Sequence, residues 1–190
     1  MVFIYRTWRI ARWILLAGII GYICLVAYRI PAVHQEEASQ SMVANIEAQR
    51  LAQADVDGTD LPPSPDPTKN GASLVGIDAN GNGIRDDVEL AVFAEYPTSS
   101  PTSTPVRAAE LQYAMDLQME FTDVFDSATL VAVMRQEGRG FMCVPTEEET
   151  DYVENLVFNT TERRDYREGI YKKYMTSFKL DSSDFCDLTF

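Results

Sequence analysis

The stretch from Asp78 to Glu89 constrains this chain more than any other, because oxygen-bearing side chains recur in it at regular positions. Counted from Asp78, they occupy positions 1, 3, 5, 9 and 12, and a glycine occupies position 6. This spacing is that of a calcium loop of the EF-hand type. Ca²⁺ needs about six to eight oxygen ligands on a small sphere, so alternate side chains must face inward and the chain must reverse sharply. Gly83, at position 6, permits the reversal through a positive φ angle.

The predicted ligands of the Ca²⁺ ion are five side chains and one backbone carbonyl. They are Asp78, Asn80, Asn82, Asp86 and Glu89, with the carbonyl of Ile84. Three carboxylates and two neutral amides predict a modest dissociation constant, on the order of 10⁻⁵ to 10⁻³ M. The alternative is a turn rich in Asn and Gly that binds no metal. The acidic residues at the end of the loop also favour the start of a helix, through the helix dipole.

Position 8 distinguishes this loop from those of paired EF-hands. It holds Arg85 where paired EF-hands have an aliphatic residue, and the aliphatic Ile84 comes one place earlier. In this respect the loop resembles the single calcium repeats of bacterial surface and extracellular proteins. The preceding residues 72–77 are few and include Gly76, so we expect a loop and an exiting helix but no entering helix.

The run from Trp13 to Tyr28 is uncharged and almost wholly apolar, and Arg12 and Arg29 flank it. With its apolar neighbours it is about long enough to span a bilayer at ~1.5 Å per residue. More arginines precede the run than follow it, which predicts a single-pass protein with a cytoplasmic N-terminus. The alternative is a signal peptide that is cleaved after Ala32.

The remaining composition divides the chain into four expected segments. Residues 1–33 form a cytoplasmic stub and transmembrane anchor, 34–56 a polar helical stalk, 57–71 a linker, and 72–190 the calcium-loop helical domain. The linker is predicted from its four prolines, which favour extended backbone.

Apolar periodicity beyond the loop predicts helices throughout. The expected fold class is therefore all-α: an anchor and stalk, a Pro-rich linker, and one EF-hand-like loop leading into a small bundle of about five helices. The expected helices cover 86–95, 105–125, 127–136 with an end at Gly138 and Gly140, a stretch after the Thr146/Glu149 capping box, and 161–178. The second of these has Leu111, Ala114, Met115, Phe121, Val124 and Phe125 as its apolar face, and the last has Tyr166, Ile170, Tyr174 and Phe178.

The predicted topology determines the oxidation state that we expect for each cysteine. Cys24 lies inside the apolar run and is expected to be inert. Cys143 and Cys186 both lie in the exported part, where thiols oxidise, so we predict one disulfide between them. The alternative is two free thiols in a cytosolic protein, which would also contradict the topology.

The acidic composition of the chain and its lack of catalytic residue combinations limit the classes of function that we expect. The first 33 residues hold four of the 16 basic residues and no acid, so 12 basic and 29 acidic residues remain in the rest. Such a surface disfavours nucleic acid as a partner. The single histidine, His34, lies at the membrane edge, so no Ser/His/Asp or Cys/His site can form. No small-molecule substrate is evident, and we expect no enzyme; acid–base chemistry by Asp86/Asp87, Glu147/Glu148/Glu149 or Asp181/Asp184 is the minor alternative.

Three stretches carry a resemblance to a known group of proteins. The loop after a Pro-rich segment, the stretch from Glu154 to Arg163 and the final Cys186 and Asp187 resemble an uncharacterised family of exported, mainly gammaproteobacterial proteins. The similarity covers 61–190. It implies export and a metal loop, and it supplies no activity. Members often begin with a signal peptide or a lipid anchor, so an uncleaved span is a departure.

Together these features predict a protein of the bacterial inner membrane with a periplasmic domain that holds one structural Ca²⁺. It would act as an accessory subunit of a membrane protein or membrane complex, which it meets through the transmembrane helix. The alternative, from another class, is a soluble periplasmic binding protein or enzyme released by signal-peptide cleavage.

Overall fold

The structure is a computed structural model, which describes residues 2–99 and 103–179. These residues form eight helices and no strand, so the predicted all-α class is confirmed. The helices are α1 (Val2–Ala48), α2 (Gln53–Asp57), α3 (Pro67–Asn70), α4 (Asp86–Glu95), α5 (Ser103–Thr122), α6 (Ser127–Cys143), α7 (Glu147–Val157) and α8 (Thr161–Tyr174). The five helices α4 to α8 follow the loop, as expected.

The chain divides into two compact units, Met1–Ser41 and Met42–Phe190. This division differs from the expected boundaries after 33, 56 and 71. Residues from the expected stalk, Ile46, Leu51 and Val56, are buried in the core of the second unit. The expected linker also contains α3, whose last residue, Asn70, is buried.

The first unit contains most of α1. Between Trp13 and Val33 its large apolar side chains are exposed, and no described side chain of the unit buries them. Among the described residues, the portion Arg12–Ala48 is long and apolar enough to cross a membrane. A signal sequence near an N-terminus satisfies the same criterion, so the choice between anchor and signal peptide stays open.

The second unit is built around α5. This helix packs against α2, α4, α6, α7 and α8, and all of its residues from Arg107 to Phe121 are buried. Of the predicted apolar face, Leu111, Ala114, Met115, Phe121 and Val124 lie in the core, whereas Phe125 is 37% exposed. The face was therefore identified correctly, but the periodicity does not reveal that the polar side of α5 is buried as well.

Two expected helix ends are wrong. The third helix of the bundle, α6, continues through Gly138 and Gly140 to Cys143 because α5 packs closely against it, and Gly140 leaves room for that approach. The last helix, α8, ends at Tyr174 rather than at 178. Lys172 and Lys173 suit the negative end of its dipole, and the residues that follow, Thr176 and Ser177, have low helix propensity.

Candidate metal centre

The loop turns around the carboxylate of Asp78, its first predicted ligand. The N–H groups of Gly81 and Asn82 donate to Asp78 Oδ1 at 2.7 and 3.3 Å, and that of Gly83 donates to Oδ2 at 2.9 Å. Gly83 has a φ of 86°, the positive value expected at position 6, and Gly81 has a φ of 75°. A carboxylate has about four lone-pair sites, two on each oxygen, so the three hydrogen bonds leave one site, on Oδ2, for a cation.

Two further predicted ligands close the loop onto α4. The N–H of Ala79 donates to Asp86 Oδ1 at 2.8 Å, and the N–H of Asp86 donates to the Ile77 carbonyl at 2.8 Å. Within the turn, the N–H of Ile84 donates to Asn82 Oδ1 at 2.9 Å. The backbone therefore returns on itself before α4 begins at Asp86. Residues 71–85 contain no helix, in keeping with the absence of an entering helix.

Three predicted ligands have buried oxygens without a hydrogen-bond partner among the described residues. They are Asn80 Oδ1, Asp86 Oδ2 and Glu89 Oε1. The side chains of Asp86 and Glu89 are almost fully buried, at 1% and 0% exposure. An unpaired buried acceptor costs on the order of 1–3 kcal/mol, and native proteins pair nearly all such atoms. A cation is one kind of partner that satisfies buried acceptors of this kind.

Glu89, the last predicted ligand of the loop, contacts both asparagines. Its Oε2 accepts hydrogen bonds from the side-chain amides of Asn80 at 3.2 Å and Asn82 at 3.1 Å. Burial raises the pKa of Glu89 to about 7, and the charges of Asp55 and Asp86 raise it too, while the two amides lower it. Burial is also the main cause of the raised pKa of Asp86. Burial therefore disfavours the charged forms of both carboxyls, and a bound cation would favour them.

The carboxylates alone do not form a metal site. Within 2–99 and 103–179, no three His, Cys, Asp or Glu side chains form a group that could hold a metal ion. The three predicted carboxylate ligands are interleaved with two asparagines and a carbonyl, and Ca²⁺ accepts amide and carbonyl oxygens as ligands. Calcium binding therefore stays a prediction that depends on these neutral oxygens.

Arg85, at position 8, connects the loop to α7. Its side chain is fully buried, forms an ion pair with Asp87, and donates through Nη1 to the Val157 carbonyl at 3.1 Å and through Nη2 to the Leu156 carbonyl at 2.7 Å. These carbonyls lie in the last turn of α7 and lack helical partners. Gly76 has a φ of 75°, and a Cβ there would collide with Arg85 Cδ. Sequence reasoning noticed Arg85 as a departure but missed this role.

An open depression of about 570 Å³ lies beside the loop. Asp78, Asn80 and Asn82 line it from the loop, and Asp55 lines it from α2. Asp55 is 7% exposed. The Asn80 side-chain amide also donates to the Asp60 carbonyl at 2.8 Å. Sequence reasoning missed Asp55 because it is distant in sequence and lies in a segment that was expected to be solvated.

The cysteine prediction is only partly covered by the described residues. Cys24 is an exposed free thiol. Cys143, the last residue of α6, is half-buried and is not free. Cys186 lies outside the described residues, and the pairing of the two stays a prediction.

The residues considered for catalysis lie apart. His34 is exposed on α1, with Nδ1 3.6 Å from Glu37 Oε2. The acidic pair at 86 and 87 and the three glutamates at 147–149 lie in the first turns of α4 and α7, where they suit the helix dipole. Asp181 and Asp184 lie outside the described residues. The expected lack of catalytic activity stays a prediction.

A second cluster of polar residues, missed by sequence reasoning, lies between α5, α6, α7 and α8. The Tyr171 hydroxyl lies 3.1 Å from Glu120 Oε1 and 3.3 Å from Glu137 Oε2, and its single hydrogen can be donated to either carboxyl. Arg167 Nε lies 3.1 Å from Glu120 Oε1, and its Nη1 lies 3.5 Å from Glu154 Oε2. Burial raises the pKa of Glu120 and of Glu137. Arg167 thus interacts electrostatically with Glu120 of α5, Glu137 of α6 and Glu154 of α7.

Comparison with known proteins finds no matching family model, curated protein or solved structure.

Proposed function

We propose that this protein is a single-pass, membrane-anchored calcium-binding protein of the bacterial inner membrane, whose periplasmic helical domain is an accessory subunit of a membrane protein or membrane complex. The observation that carries the calcium part is the set of buried, unpartnered oxygens of Asn80, Asp86 and Glu89. They belong to loop positions 3, 9 and 12, which are ligand positions in a calcium loop.

Calcium in this loop serves mainly to hold the fold together. The loop is connected to α7 through Arg85 and to the 51–60 segment through Asn80. A ligand that binds only the folded state stabilises it by mass action, by about 2.7 kcal/mol at a hundred times the dissociation constant. The cation therefore stabilises the junction between the residues before the bundle and the bundle itself.

The membrane part of the proposal is supported by α1. Its apolar side chains between Trp13 and Val33 are exposed along the whole segment. The part from Trp13 to Tyr28 is an uncharged, almost wholly apolar surface, which is unfavourable in water and favourable in lipid. The arginines that precede the run favour a cytoplasmic N-terminus, which supports a periplasmic location for the domain.

Glu89→Gln tests the calcium site. Full-length protein in detergent is melted at pH 7.5 with calcium and with a chelator. The wild type is expected to melt several degrees higher with calcium. Glu89→Gln removes a ligand charge that is unfavourably buried without metal, so the variant should keep or raise its chelator midpoint and lose the calcium shift.

The matched control is Asp151→Asn, which removes one exposed carboxylate from α7 and should keep the full calcium shift. Magnesium at the same concentration should give a smaller shift, because it requires shorter and more regular coordination. Equal wild-type midpoints with calcium and with chelator would remove calcium from the proposal.

N-terminal sequencing of the mature protein tests the anchor, together with extraction of membranes with alkaline carbonate. An intact N-terminus and retention in the membrane pellet are expected. A mature protein that begins near Val33 and is released in soluble form would instead establish the alternative, a soluble periplasmic binding protein or enzyme.

Co-purification from detergent-solubilised membranes tests the accessory role. A stoichiometric membrane protein is expected with the full-length chain. It should be lost when the apolar run is replaced by an unrelated transmembrane helix of equal length. If the partner still co-purifies after that replacement, the periplasmic domain makes the contact. Isolation of the full-length chain without any partner would contradict the accessory role.

A further inference from the structure

Two buried glutamates from different helices meet at α8. The hydroxyl of Tyr171 on α8 lies 3.1 Å from Glu120 Oε1 of α5 and 3.3 Å from Glu137 Oε2 of α6. Glu120 is 0% exposed and Glu137 is 9% exposed. Two carboxyls that share one partner therefore lie close together in the interior of the second unit.

The hydrogen-bond donors around these carboxyls do not satisfy all of their oxygens. Glu120 Oε2 and Glu137 Oε1 are buried and have no donor among the described residues. The two side chains are close enough to hydrogen-bond to each other. Two ionised carboxylates offer only acceptors, so such a bond forms only when one of the two carboxyls is protonated. A single proton on the pair supplies the missing donor.

The charge around the pair also fits one proton. Arg167 Nε lies 3.1 Å from Glu120 Oε1. Burial raises the pKa of Glu120, the charge of Glu137 raises it further, and Arg167 lowers it. Burial likewise raises the pKa of Glu137, against the hydrogen bond with Glu120. With one proton the pair carries one negative charge, which Arg167 balances, and without it the pair carries two.

Other titratable and charged groups face the pair from the surrounding helices. Asp116 of α5 is fully buried, and burial raises its pKa; Arg139 of α6 and Arg50 interact with it. Glu154 of α7 lies 3.5 Å from Arg167 Nη1, and its charge opposes ionisation of Glu137. Burial raises the pKa of the nearby tyrosines, which therefore keep their hydroxyl protons: Tyr113, Tyr166 and Tyr171.

The two halves of α8 are attached differently. Arg163, in the first half, is buried and donates to the Leu74, Asn70 and Ser73 carbonyls. The second half contacts α5 and α6 through Arg167 and Tyr171, and Lys172 and Lys173 are exposed. The polar contacts of the second half are therefore made with the glutamate pair.

We propose that Glu120 and Glu137 share one proton in the native state and that this proton keeps the second half of α8, residues 167–174, packed on α5 and α6. Loss of the proton releases this half. Glutamates of the unfolded chain lose their protons near pH 4.5, whereas buried glutamates can keep theirs up to about pH 8–9. The stabilisation is thus complete below about pH 4.5 and is lost as the pH rises through the raised value.

Limited digestion of the full-length protein in detergent tests the release, with calcium present throughout. Trypsin cleavage after Lys172 and Lys173 is measured from about pH 7 to about pH 9.5, relative to an unfolded peptide of residues 161–179, which corrects for the protease. Cleavage follows the population of the open form, so it should rise about tenfold over this range. Cleavage after Arg139 of α6, which requires more extensive unfolding, should stay slower at every pH.

Glu137→Gln should abolish the rise, because its amide can donate to Glu120 and has no proton to lose. Asp165→Asn is the matched control, since it removes an exposed carboxylate from the same helix and should keep the wild-type rise. A wild type without the rise, equal cleavage rates in α6 and α8, or a Glu137→Gln that rises like the wild type would each overturn the proposal. The first two outcomes need no variant, so they decide the question even if Glu137→Gln folds poorly.

Discussion

At the scale of single residues, the absence of a side chain at Gly140 decides how closely two helices approach. A Cβ at this position would lie 2.9 Å from the Tyr113 Cα and would collide with Asp116 Oδ2. In the sequence, Gly138 and Gly140 predict a helix end, because glycine is a poor helix former. The packing of α5 against α6 overrides that preference.

Gly140→Ala is expected to destabilise the protein by about 1–3 kcal/mol, the usual cost of an extra methyl group in a well-packed core. The matched control is Gly169→Ala on α8, where a Cβ would have no atom within 4 Å. The control should be stabilising by roughly 0.5–1 kcal/mol through helix propensity. Urea unfolding of both variants measures the difference, and equal behaviour of the two alanines would contradict the close approach.

At the scale of secondary-structure elements, buried arginines hold the irregular segments in place. Arg163 donates through Nε to the Leu74 carbonyl at 2.9 Å and through Nη2 to the Asn70 and Ser73 carbonyls at 3.2 Å. Arg85 does the same for the end of α7. A planar guanidinium holds donors on three separate nitrogens in fixed directions, whereas the donors of lysine all lie on one nitrogen.

Arg85→Lys is therefore expected to cost about 1–3 kcal/mol, because the single nitrogen of lysine does not reproduce the contacts that two guanidinium nitrogens make with the Leu156 and Val157 carbonyls. Arg164→Lys is the control, since Arg164 is exposed and donates to a single carbonyl, that of Phe158. It should change stability little. Chemical unfolding with chelator present separates this effect from calcium binding; a harmless Arg85→Lys would contradict the role of Arg85 at position 8.

The predicted Cys143–Cys186 disulfide would join the chain end to α6. Closure of a loop of this length stabilises the folded state by roughly 4 kcal/mol in the chain-entropy model. Intact-mass measurement under non-reducing conditions should give a protein two hydrogen atoms lighter than the reduced form, and Cys143→Ser should abolish the difference. An unchanged mass on reduction would refute the disulfide.

At the scale of the whole molecule, the described residues of the second unit include more buried acidic side chains than buried basic ones. Glu110, Asp116 and Glu120 are all fully buried on α5. Burial raises the pKa of Glu110 to about 8, and the charges of Glu149 and Glu95 contribute, although the Tyr96 hydroxyl opposes them. Burial also raises the pKa of Asp116 and Glu120. Folding therefore favours the protonated form of these carboxyls.

The direction of the pH dependence follows from these raised pKa values. The native state keeps the Glu110 proton up to about pH 8, whereas the unfolded chain releases it near pH 4.5. The contribution of Glu110 to stability is thus complete below about pH 4.5 and is lost as the pH rises through 8. With calcium absent, the free energy of unfolding should fall between about pH 5 and pH 8.

Glu110→Gln should reduce this slope, because glutamine has no proton to lose, and Glu148→Gln on the exposed face of α7 should not. Urea unfolding at several pH values, with chelator throughout, measures the slope for the wild type and both variants. A wild type that gains stability steadily from pH 5 to pH 8 would contradict the burial of these carboxyls in neutral form.

The sequence alone determined the all-α class, the apolar helix near the N-terminus and most of the residues with which α5 faces the core. These depend on local periodicity and on capping residues such as Thr146, whose Oγ1 accepts from the Glu149 N–H at 3.3 Å as expected. It also determined the positive φ of Gly83, because the spacing of the loop requires a sharp turn there.

Only the tertiary structure decided which polar side chains lie inside. Asp55 reaches the loop, Arg85 reaches α7, and Glu110 is buried on α5, because residues distant in sequence pack around them. Reasoning from local sequence patterns assigns a charged residue to the surface, because charged side chains are strongly hydrated and are mostly exposed in folded proteins. Whether a charged side chain is buried depends on neighbours that are distant in sequence. The buried, unpartnered oxygens of Asn80, Asp86 and Glu89, which support calcium binding, could therefore be identified only in the folded structure.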